Sequence, residues 1–145
     1  HWDPHARGTI VGLSRGTTAG HLARATLESM AFQTQEVLIA MQADSGVKLG
    51  KLRVDGGASV NDTMMQFQAD LLGLQVQRPA ETETTALGAA YLAGLGVGAI
   101  KSLATVTKNH SIQKTYRPNM RKREREERLR VWRKAIERSK GWANA

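Results

Sequence analysis

Along this chain, apolar and small residues follow two different rhythms. Between residues 23 and 41 they recur at steps of three and four, as Ala23, Leu27, Met30, Thr34, Val37, Leu38 and Met41. That spacing predicts one buried face of a long helix. Thr17 or Thr18 stands where a hydroxyl accepts an otherwise unpaired backbone N–H at the helix start. The run stops at Asp44-Ser45-Gly46, with Gly46 suited to a left-handed C-cap. A short strand follows in KLRVDGG, with Leu52 and Val54 on one side and Arg53 and Asp55 on the other. Residues 61–72 return to the helical rhythm through Met64, Met65, Phe67, Gln68, Leu71 and Leu72, and Gly73 ends it. LQVQRP reads as a second strand, closed by Pro79.

Next come a polar loop and a helix of small residues. Ala89, Ala90 and Ala93 lack bulk, so this helix can lie close to a sheet or to another helix. The order helix, strand, helix, strand, helix predicts an α/β layer with parallel strands. Two strands make a poor sheet, so further strands are expected from elsewhere. Residues 103–117 carry little pattern and are expected to be irregular. Residues 119–142 predict a charged amphipathic helix with Leu129, Trp132, Ile136 and Ser139 on one face. Glu124–Arg128 and Glu126–Arg130 are its expected i,i+4 pairs. No internal repeat is visible.

Composition changes this picture in a few places. The 145 residues suffice for one domain with a core. There is no cysteine, which excludes disulfides, thiolate catalysis and zinc–thiolate sites. Its absence fits a reducing compartment, and a cytoplasmic location is expected. The first residues, HWDPHARG, lack the apolar core of a secretion signal. The apolar run 86–100 is interrupted by Gly88, Gly94, Gly96 and Gly98 and falls short of the roughly 20 residues a membrane span needs. No membrane partner is expected. The chain begins with His1 rather than Met, which suggests a fragment.

The net charge of +8 is uneven. From residue 120 onward there are 10 Lys/Arg against 4 Asp/Glu, so the basic character belongs to the tail. Such a tail can bind nucleic acid through phosphates. Its basic residues alternate with glutamates around an apolar stripe, which favours a solvated helix packed on the body and disfavours a nucleic-acid partner. RKRER as a targeting signal has little support.

The chemical candidate is VDGGASVND. Gly56 and Gly57 have no Cβ, so a ligand can approach the backbone closely. The helix that follows starts near residues 59–61 and has free N–H groups. The Asn61 amide suits a purine edge or a ribose. The alternative is a plain strand-to-helix turn with Ser59 as N-cap. The stretch matches neither the P-loop nor the G-x-G-x-x-G fingerprint. TETTALG, residues 82–88, holds a phosphate or caps a helix through Thr84 or Thr85. His1, His5, His21 and His110 have no metal-binding spacing.

Several longer stretches carry a resemblance. GTIVGLSRGTTAGHLARATLESMAFQTQEVL resembles the second signature of the FGGY carbohydrate kinases. LRVDGGASVNDTMMQFQADLLGLQVQRP and ETTALGAAYLAGLGVG extend the match. Trp132, Ala135, Arg138, Ser139, Gly141 and Trp142 complete it. WDPHARG and MQADSG resemble the branch that phosphorylates glycerol, rather than the pentulose or gluconate kinases. The resemblance implies part of an actin-like ATPase (RNase H-like) C-terminal domain: short parallel strands, flanking helices and a C-terminal amphipathic helix. Residues 1–118 would form part of the nucleotide-binding domain, with 119–145 as the basic helix packed on it. It further implies ATP as cosubstrate, with Mg²⁺ held mainly by residues absent from this chain. Gly57 and Asn61 match the nucleotide-contacting positions, with Gly56 and Ala58 beside them. The catalytic base and the glycerol contacts match nothing here, so the chain alone is expected to be inactive. Its partners would be ATP or ADP, the missing N-terminal domain, glycerol in the full-length enzyme and, as an open alternative, a second copy.

Overall fold

The computed structural model describes residues 3–108 and 111–144. Helix α1 spans Ala19–Ser45. Its N-cap is Thr18, whose side chain accepts the His21 N–H, while the His21 ring accepts the Thr18 N–H at 3.1 Å. Strand β1 is Lys51–Arg53, followed by a 3-10 turn at Gly57–Val60 and helix α2 at Asp62–Leu72. Strand β2 is Gln75–Pro79 and helix α3 is Thr84–Gly96. Helix α4 is Leu103–Lys108, strand β3 is Ile112–Tyr116 and helix α5 is Lys122–Ser139.

The sheet has three strands in the order β1-β2-β3. β1 and β2 are parallel, with Leu52 opposite Val76, and α2 forms the crossover between them. β3 runs antiparallel to β2, with Tyr116 opposite Val76. The sheet is therefore mixed rather than purely parallel. The stretch expected to be irregular supplies both α4 and β3.

α2 sits at the centre of the packing. One side of it meets the sheet, where Met64, Met65 and Ala69 bury against Val76 and Tyr116, with Leu52 and Val54 at the margin. The other side meets α1 and α5, where Phe67 and Leu71 bury with Ala31, Phe32 and Leu129. Phe32 stacks on Trp132 with centroids 4.9 Å apart and meets Phe67 edge-on at 5.6 Å. Gly73, at φ 66°, ends α2 in the left-handed conformation expected of it.

The face expected to bury α1 is largely open instead. Ala23, Met30, Val37 and Met41 are exposed, while Ala31 and Phe32 are buried and Leu27 and Leu38 half-buried. Helix α3 buries none of its residues, and Leu92 is 70% exposed despite its apolar character.

α5 packs on the body through Leu129 and Trp132, and Arg128 reaches Glu28 of α1 at 3.5 Å. The Glu124–Arg128 pair forms at 3.1 Å. The expected Glu126–Arg130 pair does not: Arg130 bonds Glu127 at 2.6 Å and Glu126 faces Lys122 at 3.7 Å. Beyond α5 the chain returns to the residues near its start. The Gly141 N–H donates to the Asp3 carboxylate at 2.8 Å and the Ala143 N–H to the His5 carbonyl at 3.0 Å. The Gly141 N–H, foremost, lowers the Asp3 pKa below its ordinary value. No helix among the described residues is long and apolar enough to cross a membrane.

Candidate functional site

The glycine turn begins where β1 leaves the sheet. The Val54 N–H still bonds the Gln77 carbonyl at 3.0 Å, and the chain then turns at Gly56. Gly56 has φ 76° and ψ 172°, a backbone that a side chain would strain. Gly57 differs. Its φ is not positive, and a Cβ built on it meets no atom within 4 Å. Among the described residues, neither backbone strain nor packing requires glycine at this position.

The 3-10 turn gives each residue a separate role. Ser59 points inward, 1% exposed, and its hydroxyl donates to the Gly56 carbonyl at 2.7 Å. Gly57 and Ala58 lie exposed on the outer side. Asn61 is the N-cap of α2, and its Oδ1 accepts the Met64 N–H at 3.0 Å. The helix therefore starts after Asn61, and Ser59 does not cap it. The Asn61 Nδ2 has no partner among the described residues, so the amide keeps a free donor beside the turn.

A second segment joins the turn. The Gly56 N–H bonds the Thr82 carbonyl at 2.9 Å, and the Thr84 hydroxyl donates to the Asp55 carboxylate. Residues 55–57 and 82–84 thus form one lip at the end of β1. Thr84 and Thr85 do not cap α3: Glu83 occupies the N-cap position and makes no capping side-chain bond.

Under the turn lies a charged cluster that sequence reading did not pick out. Asp62, the first residue of α2, accepts from Lys114 Nζ at 2.5 Å, Tyr116 Oη at 2.6 Å and Arg78 Nη1 at 2.9 Å. The Lys114 bond, then the Tyr116 and Arg78 bonds, hold the Asp62 carboxyl well below the ordinary carboxylate range. Burial, and the bond to Asp62, push the Tyr116 hydroxyl up to about 12. One signal was available beforehand: strand alternation places Arg78 on the same face as Val76, where a charge needs partners.

The cluster has a consequence for acid stability. A carboxyl with a lowered folded pKa stabilises the fold fully above its unfolded value of about 3.9, and that contribution drains as pH falls. The melting temperature, followed by circular dichroism, should therefore drop between about pH 4 and pH 2. In Asp62→Asn the drop should be shallower, from a lower starting point. An unchanged slope would show that Asp62 carries none of the effect.

His21 caps α1 and the His5 carbonyl accepts from Ala143. His1, Trp2 and His110 lie outside the described residues. Among the described residues no group of three or more His, Asp or Glu side chains could hold a metal ion.

Residues 1–97 match the FGGY family of carbohydrate kinases, C-terminal domain. The chain is 61% identical over 142 residues to glycerol kinase 1 of Clostridium tetani, covering 98% of this chain and 28% of that protein. It is 57% identical to the glycerol kinase of Deinococcus radiodurans over 98% of its own length and 28% of the relative's. The crystal structure of Plasmodium falciparum glycerol kinase with ADP superposes with a TM-score of 0.83 at 35% identity, over 95% of this chain and 28% of that one. Xylulose kinase from Rhodospirillum rubrum gives 0.72 at 30% identity, over 93% of this chain and 27% of that one. The chain thus spans little more than a quarter of the length of these relatives. With the family match over residues 1–97 and these likenesses in sequence and fold, the chain belongs to the FGGY family of carbohydrate kinases, in its C-terminal domain.

Proposed function

We propose that this chain is the nucleotide-binding part of an ATP-dependent kinase acting on glycerol. The observation that carries the reading is Gly57. It is exposed, its φ is not positive, and the place of its missing Cβ is empty. Close approach of a flat ligand is what such a glycine permits. Ala58 adds a small apolar surface, and the Asn61 Nδ2 adds a donor suited to a purine edge or a ribose. The same stretch in the P. falciparum enzyme belongs to a structure described with ADP, which supports the assignment.

In the complete reaction a terminal hydroxyl of glycerol forms a bond to the γ-phosphorus of ATP as the bond to ADP breaks. The hydroxyl proton passes to a base. The products are glycerol 3-phosphate and ADP. Phosphoryl transfer depends on positioning and on neutralising phosphate charge, here the task of Mg²⁺. This chain contributes positioning: Gly56, Gly57, Ala58 and Asn61 form the adenosine wall. The base, the glycerol contacts and the Mg²⁺ ligands are assigned to no residue of it, so the isolated chain is inactive.

The test uses the protein carrying this segment as its source makes it. ADP should bind with a dissociation constant between about 1 μM and 1 mM, the range usual for enzyme substrates. Glycerol should be phosphorylated in preference to xylulose and gluconate. Absence of adenine-nucleotide binding would end the proposal. Binding accompanied by transfer to another polyol would leave the wall in place and overturn the substrate.

A further inference from the structure

We propose that Arg78 is a positioning residue for the nucleotide turn, acting through Ser59 and Asp62 without touching the ligand. The inference rests on the nucleotide-site reading above.

Arg78 sits in β2 and is only 8% exposed. Its Nη1 donates to the Ser59 carbonyl at 2.9 Å and to Asp62 Oδ1 at 2.9 Å. Its Nε donates to Gln113 Oε1 at 2.9 Å. One guanidinium therefore grips the chain on both sides of Asn61 and directly after Gly57 and Ala58. Ser59 follows Gly57 and Ala58, and Asp62 follows Asn61. The turn has few other restraints: the Ser59 hydroxyl bonds back to Gly56, and the Asn61 N–H bonds the Ala58 carbonyl at 3.2 Å. Both of those bonds lie within the turn and cannot fix it against the sheet. The Gly56 N–H to the Thr82 carbonyl anchors its first residue only.

The far side of the grip is itself held. Gln113, Lys114 and Tyr116 belong to β3, and the last two bond Asp62 directly. The Arg78 guanidinium also lies 5.7 Å from the Tyr116 ring centroid. β3 thus backs the end of the turn directly at Asp62, and backs the Ser59 carbonyl through the buried Arg78. A planar fork with several donors can meet three partners at once, which an ammonium on a flexible stem cannot do in the same geometry.

Arg78→Lys keeps the charge and loses the fork. In the protein as its source makes it, ADP affinity measured by calorimetry should fall about tenfold, the loss of roughly one charge-assisted hydrogen bond. The KM for ATP should rise by a similar factor, while kcat and the KM for glycerol stay within about twofold. Amide hydrogen exchange without nucleotide should quicken at residues 57–61 and remain slow at 65–71. A merely structural role gives another pattern: fewer active molecules, lower kcat and an unchanged KM for ATP. Should Arg78→Lys fold poorly, Asp62→Asn keeps the shape and removes the opposing charge, and should weaken ADP about threefold. If the parent binds ADP and both variants bind it equally well, this inference fails and the nucleotide site stands. If the parent binds no adenine nucleotide, the nucleotide-site reading fails and this inference with it.

Discussion

Gly57→Val is expected to weaken ADP binding by at least about 100-fold, about 2.7 kcal/mol, while leaving the fold intact. The two halves of this expectation have separate grounds. The fold tolerates the change because no atom lies within 4 Å of the new Cβ and φ is not positive. The ligand does not tolerate it, because the branched side chain fills the space that a base or ribose would occupy. Asn61→Ala is the less clean experiment. It removes the proposed ligand donor, but it also removes the cap on the Met64 N–H, which costs about 1 kcal/mol of helix stability. Calorimetry beside a thermal melt separates the effects. A Gly57→Val protein that melts like its parent and binds ADP as tightly would remove the turn from the site.

Leu71→Ala should produce the largest loss of stability, about 3–4 kcal/mol. Leu71 is 0% exposed, between α1, α2 and α5, among Ala31, Phe32, Phe67 and Leu129. Its neighbours are aromatic or come from three different helices, so the cavity cannot collapse without moving one of them. A domain of this size holds only about 5–15 kcal/mol in total, and the melting temperature should fall by about 10 °C. Val131→Ala, on the half-exposed side of α5, should change stability by less than about 0.5 kcal/mol. Equal effects at both positions would mean that the α1–α2–α5 cluster is not the core.

Features that depend on nearby residues were legible in the sequence. The α2 stripe is set by the helical period, and Gly73 by the left-handed cap one residue beyond it. The glycine turn could be placed because a strand, two glycines and a helix follow in immediate succession. Features set by distant partners were not legible. β3 shows only Tyr116 as a buried position, and its pairing with Val76 reaches across the intervening α3 and α4. The hydroxyl of Thr84 looked available for capping because its partner Asp55 is remote in sequence. The α1 stripe was misplaced for a different reason. That helix is apolar on several sides, and which side is covered depends on what packs there: Phe32 meets Phe67 and Trp132, whereas Met30 and Met41 stay exposed. Arg78 could have been singled out by its position on the Val76 face, though its partners could not have been named.

The hydrogen bonds from Gly141 and Ala143 to Asp3 and His5 bear on the order of events during synthesis. A growing chain releases Asp3 and His5 first and their partners near the end of this segment. The cluster between α2 and the sheet draws only on residues up to Tyr116 and can assemble earlier. The cluster around Phe32 needs Leu129 and Trp132, so it waits for α5. Phe32 and Phe67 therefore stay accessible to water, and to chaperones that bind exposed aromatic groups, until α5 has emerged.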